Sequence, residues 1–185
     1  MARQKRCEEI DLFIESYEVL ARGIVHPMFY SQRKGKLDRN AFMPPPRDGG
    51  RNVSLYRCRY ASEDTCKFHA SQLQLGRENK YCGIAVFQAS IISDINQKYS
   101  GSDISSQVIA TPLDEQGRYV NRDKICKHDL GIPFHADLRY EFIVHEGQVN
   151  TSLRVYAQQI CTLAQYCEDP YPNGQGWKGK PFGLV

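Results

Sequence analysis

Nowhere do the 185 residues approach the ~18 consecutive apolar positions that a membrane-spanning helix needs, so no membrane partner is expected. The first residues, MARQKRCEEIDLF, lack the apolar core of a secretory signal, because Glu8, Glu9 and Asp11 follow the basic start. A cytoplasmic protein is expected. No Cys-x-x-Cys occurs. The seven cysteines are therefore expected to be mostly buried thiols rather than disulfides. Internal repeats and linker-like stretches are also missing, which leaves one domain over 1–185. The hydrophobic share of 41% and charged share of 24% exclude a disordered chain.

What is present is unevenly placed. Residues 33–59 carry Arg33, Lys34, Lys36, Arg39, Arg47, Arg51, Arg57 and Arg59 against Asp38 and Asp48, a local charge of +6. The whole chain is only +3, so the remainder is −3. Such an asymmetry attracts an anion locally, although the total is modest for a duplex-binding domain. The stretch also holds Pro44, Pro45 and Pro46 and the Gly49–Gly50 pair. The prolines favour a stiff extended segment, and the glycines would let backbone N–H groups approach an anion.

Hydrophobic spacing divides the rest. Ile10, Phe13, Ile14, Tyr17, Leu20 and Ala21 recur at three and four, which predicts a helix over 8–22. Residues 23–30 read as an edge strand broken by Pro27, and 31–52 as a long basic loop. NVSLYRCRYA, 52–61, alternates as a strand. Ser62 caps a helix over about 63–75, with Glu63 and Asp64 in its first turn. Strands follow at 81–88, 106–111 and 136–144, with a short helix at 89–99. Asn150 precedes a long amphipathic helix over 151–167. The only tryptophan lies in the Pro- and Gly-rich tail, so the tail is expected to pack on the domain. These elements imply an α+β fold: a mainly antiparallel sheet of about five strands, with helices at both chain ends packed on it.

Two short segments look alike, Phe68-His69-Ala70-Ser71 and Phe134-His135-Ala136-Asp137. They resemble the paired His-x-Ser/Thr motifs of the two-histidine phosphoesterases, which implies acid–base cleavage of a phosphodiester. Asp137 departs from that pattern, and the first copy lies on a predicted helix. The stretch from the prolines through VSLYRCRY resembles the first strands of ADP-ribosyltransferase-like domains. That would place Ser54, Tyr56 and Arg57 at a nucleotide diphosphate, with His26 upstream. Cys66-x-x-His69 and Cys126-x-His128 contain zinc-ligand types, but 56 residues separate them, and no metal is expected.

Arginine presents a planar fork that matches phosphate, and histidine moves protons near neutral pH. The expected function is a small enzyme acting on a phosphate-containing ligand, a nucleotide or RNA, through a basic polar site around residues 26–60, with no cofactor. His26, His69 and His135 are the candidate catalytic residues. Arg47, Arg51, Tyr56, Arg57 and Arg59 are the candidate ligand contacts. Tyr56 and Tyr60 between arginines would also suit stacking on RNA bases. The alternatives are a noncatalytic RNA- or ligand-binding module, or a subunit that docks a protein partner through the basic loop.

Overall fold

The computed structural model describes residues 7–45, 50–73, 76–142 and 151–182. Its frame is a six-stranded antiparallel sheet. The strands are β1 (Val19–His26), β4 (Asn52–Arg57), β5 (Lys80–Gln88), β6 (Ile104–Ala110), β7 (His135–Phe142) and β8 (Gln165–Glu168), ordered β6-β7-β4-β1-β5-β8. A separate small hairpin pairs β2 (Tyr30–Ser31) with β3 (Lys36–Leu37). The helices are α1 (Glu63–Ser71), α2 (Ser90–Lys98) and α3 (Thr151–Leu163). The α+β class and antiparallel sheet match the expectation, with one strand more.

Alternation along the strands builds two apolar layers. On one face Leu20, Ile24, Val53, Leu55, Phe87, Leu138 and Tyr140 pack against α2, α3 and a 3-10 turn at Arg39–Phe42. On the other, Ala21, Tyr56, Ile84 and Val86 meet Cys66 and Ala70 of α1, together with Ile10, Ile125, Phe134, Trp177 and Phe182.

The helix expected at 8–22 is a correction. Val19–His26 is a central strand, paired with β4 on one side and β5 on the other. A strand buried on both faces needs no alternation, so its apolar run mimics a helical stripe. Phe13 and Tyr17, taken as stripe members, are exposed. Residues 8–10 instead run beside 125–127: Ile10 N donates to Ile125 O at 2.8 Å, and Lys127 N to Glu8 O at 2.8 Å. A Cys7–Cys126 disulfide ties the same two segments, with a Cα–Cα distance of 5.4 Å. The disulfide is an exception to the expected thiols; Cys58, Cys66, Cys82, Cys161 and Cys167 are free.

The C-terminal region needs a second correction. The expected helix over 151–167 ends at Leu163, and Gln165–Glu168 turns into an edge strand on β5. Asn150, its expected cap, lies outside the described residues. The 31–52 loop is also more structured than expected. It contains the β2–β3 hairpin and the 3-10 turn, whose cap is Asp38 accepting from Asn40 N at 3.0 Å.

Helix α1 starts as its sequence dictates, with the Ser62 hydroxyl accepting from Thr65 N at 3.2 Å. The two first-turn acids also hold the tail. Trp177 N donates to Asp64 Oδ1 and Phe182 N to Glu63 Oε1, both at 2.6 Å. Lys67 is buried and ion-paired with Asp169 at 2.7 Å, and it donates to the carbonyls of Tyr171 and Gly176. The tail therefore packs on the domain, as its aromatics imply.

Contact between α1 and β1 is close because residue 23 has no side chain. A Cβ there would lie 2.7 Å from Ala70 Cβ and 2.8 Å from Leu73 Cδ1. Gly23→Ala is expected to lift α1 and cost about 1–3 kcal/mol in urea unfolding. An unchanged midpoint would show that the helix has room to yield.

Candidate functional site

Strands β4 and β7 pair Tyr56 with His135, Ser54 with Asp137 and Asn52 with Arg139. Paired residues share a face, so these six side chains form one polar strip. Burial falls along it: Tyr56 and His135 are buried, Ser54 and Asp137 half-buried, Asn52 and Arg139 exposed. The strip therefore opens outward from a closed end. Helix α1 supplies His69 at that end, with ring centroids 6.1 Å from Tyr56 and 5.5 Å from Phe134.

The floor has a distinctive feature. Strands β1 and β4 pair only at Leu20–Arg57 and Ala21–Tyr56, then separate. Arg22 occupies the gap. Its Nη1 donates to Ser54 O at 2.9 Å and its Nε to Ala41 O at 3.2 Å, while the guanidinium lies 5.2 Å from the Phe29 ring centroid. Arg22 makes no ion pair among the described residues. Buried arginines are ordinarily paired with a carboxylate. Burial lowers its pKa to about 10, offset in part by Tyr56 and Asp137. Burial likewise pushes the Tyr56 hydroxyl up to about 12, against the pull of Arg22.

His135 is oriented from behind. Its Nδ1 lies 2.9 Å from both the carbonyl and the hydroxyl of Thr111. A carbonyl only accepts, so this contact calls for the proton on Nδ1. The neutral ring then presents Nε2 as an acceptor, 4.0 Å from Asp137 Oδ1. Desolvation lowers the pKa of His135, opposed by Asp137 and Thr111 and reinforced by Arg22. Desolvation also lowers His69, and the charge of His135 adds to it. Two neighbouring rings that repel as cations hold one proton more readily than two.

Stability carries the same signature. Both folded pKa values lie below the ordinary 6.5. Between them and 6.5 the unfolded chain binds more protons, so stability falls as pH drops below about 6.5. The urea midpoint is expected to decrease between pH 7.5 and 5.5, and less steeply in His69→Asn. A midpoint that rises over this interval would contradict the lowered values.

Of the eight residues singled out by sequence, Tyr56, His69 and His135 come together here. His26 does not. It ends β1 opposite Lys80, five residues beyond Ala21, or about 17 Å along the strand, and its Nδ1 donates to Tyr30 O at 2.9 Å. Arg57 faces the other side of β4. It is fully buried, with Nε and Nη2 on Glu18 at 2.7 and 2.9 Å, Nη2 also on Phe13 O, and Nη1 on Asp11 O. Arg51 covers the Phe142 ring at 5.3 Å, beside the opposite core. Arg59 lies over Tyr60 at 5.5 Å. Arg47 and Gly49 are outside the described residues. The set implied by the ADP-ribosyltransferase resemblance is thus not assembled, since Ser54 and Tyr56 share the strip without Arg57 or His26.

Sequence reasoning passed over Arg22, Thr111, Asp137 and Arg139 as site residues. Arg22 did carry a signal, a lone arginine inside the apolar run VLARGIV. Asp137 and Arg139 alternate with the apolar residues of β7 and so share the face of His135. Among the described residues no three His, Cys, Asp or Glu side chains converge as a metal site. Cys126 is tied to Cys7 in a disulfide and so offers no thiolate to join Cys66 and His69. Among the described residues no helix is long and apolar enough to cross a membrane. No family model, curated protein or solved structure gives a significant match to the chain.

Proposed function

We propose that the chain is a small enzyme acting on a phosphate-containing ligand, a nucleotide or RNA, and that it works on the β4–β7 strip, which takes only Asn52, Ser54 and Tyr56 from the 26–60 stretch. The observation that carries this reading is Arg22, a cation buried in the sheet gap that makes no ion pair among the described residues and whose charge acts on Tyr56 and His135 of the strip. An anion above the sheet gap would supply the missing countercharge, and Arg139 at the open end would contact its far side. Asp137 limits how much negative charge the closed end accepts, which favours a singly charged phosphodiester over a dianion there.

The chemistry follows from the protonation states. Neutral His135 would take the proton of an attacking water or hydroxyl at Nε2 as the new P–O bond forms. Protonated His69 would give its proton to the departing oxygen as the old P–O bond breaks. Bound anion raises the pKa of both rings, so the singly protonated pair becomes accessible near neutral pH. A cytoplasmic location belongs to this reading and fits the five free thiols, while the Cys7–Cys126 disulfide weighs against it.

The experiment is a panel of nucleotides, cyclic nucleotides and short RNAs, assayed for cleavage with wild type, His135→Gln and His69→Gln. One substrate should be turned over, with each variant slower by about 100-fold or more. If no member of the panel is cleaved, or both variants keep wild-type turnover, the acid–base reading fails.

A further inference from the structure

A second concavity lies apart from the strip, beside the hairpin. Ser31 and Lys36 are cross-strand partners in β2 and β3 and so project from one face of that hairpin. Lys34 lies in the connecting turn, where its N donates to Ser31 O at 3.1 Å and Gly35 takes φ 59°. Arg39 opens the 3-10 turn that follows, and Gln158 reaches in from α3. With Leu37 and Asp38 these residues line a hollow of about 240 Å³.

Its charge is lopsided. Lys34, Lys36 and Arg39 face a single carboxylate, Asp38, whose Oδ1 already accepts from Asn40 N. None of the three cations makes an ion pair among the described residues. Like charges gathered into one concavity repel, and an anion between them removes that cost. From this geometry we infer that the hollow is a binding site for a phosphate group.

The chemistry selects phosphate over a carboxylate. Three cations and two neutral donors, the Ser31 hydroxyl and the Gln158 amide, exceed what two carboxylate oxygens can use. A phosphoryl group carries up to about two negative charges and three acceptor oxygens. Arg39 matches it bidentately, while the lysines act as point charges. The volume is below the ~300 Å³ at which pockets for drug-sized molecules begin. It therefore takes the phosphate and leaves the rest of the ligand outside. That phosphate is a terminal monoester, supplied by a small phosphorylated molecule or by the 5′ end of an RNA. The site is independent of the acid–base chemistry on the strip.

Backbone amide NMR of Ser31, Lys36 and Arg39 tests this, with inorganic phosphate, a mononucleotide and a short 5′-phosphorylated single-stranded RNA as probes. Saturable shifts are expected with at least one probe. Stronger binding of the RNA than of the mononucleotide would identify an RNA end, and equal binding a small ligand. Lys36→Glu/Arg39→Glu should weaken binding by about 100-fold. The neutral pair Ser31→Ala/Gln158→Ala should weaken it by about tenfold, because hydrogen bonds to a charged group are lost. Thermal midpoints monitor folding, and all of these side chains are at the surface. No saturable shift in wild type would overturn the site. So would full affinity in the neutral pair, which would show attraction to surface charge alone.

Discussion

Arg57→Ala is expected to destabilise the protein by about 3–5 kcal/mol in urea unfolding. The residue appears in the sequence as one more member of a basic stretch, but it is fully buried. Its guanidinium spans both carboxylate oxygens of Glu18, at 2.7 and 2.9 Å, and also holds the carbonyls of Asp11 and Phe13. It therefore fastens the irregular N-terminal segment to the start of β1. Removing it leaves a carboxylate buried without a partner, and that uncompensated charge is the main cost. Since domains of this size have only about 5–15 kcal/mol in total, much of the variant should be unfolded at 37 °C. Adding Glu18→Gln to Arg57→Ala should recover about 1–3 kcal/mol, because the stranded charge is gone. If the double variant is no more stable than the single one, the loss lies in the backbone contacts instead.

Replacing Arg22 should act on both stability and binding. Arg22→Met removes the donors that satisfy Ser54 O and Ala41 O, at about 1–3 kcal/mol for a buried group left unpaired. Under the proposed reading it also removes the cation beneath the ligand. Truncating one side of a buried charged contact costs about 2–5 kcal/mol of affinity, or roughly thirtyfold and upward. Arg22→Lys keeps the charge but cannot reach both carbonyls in a fixed fork, so it should retain more of the binding than Arg22→Met. Competition of a bound fluorescent nucleotide by the variants would show it. Equal affinity in wild type and Arg22→Met would remove Arg22 from the site.

Most of the fold was legible because period and punctuation agree in the middle of the chain. Alternation in VSLYR and HADLRYEF identifies β4 and β7, and Ser62 with its two acids starts α1 as written. The N-terminal third was misread for a physical reason. Leu20, Ala21, Ile24 and Val25 are buried on both faces of a central strand, so their spacing carries no period of two. The Cys7–Cys126 link joins residues 119 apart in sequence, a separation from which pairing could not be inferred.

The site was legible by residue type and not by assembly. Tyr56, His69 and His135 were chosen for their chemistry, but only the β4–β7 register brings the first and last side by side. Charge density drew attention to Arg51 and Arg57, whose side chains turn away from that face, and to Arg59, which lies past the end of β4 over Tyr60. Arg22 was overlooked because it lies within an apolar run. Its role depends on where β1 and β4 part, and no local pattern encodes that.

Ring-nitrogen NMR of His69 and His135, titrated over pH with and without saturating nucleotide or RNA, addresses the strip itself. The free protein should show both rings titrating below the ordinary histidine value, with His135 protonated on Nδ1 when neutral. On adding ligand both pKa values should rise together, and the His135 Nε2 signal should move most. Rings that keep their free-state pKa values while ligand binds elsewhere would contradict a phosphate site on the β4–β7 strip.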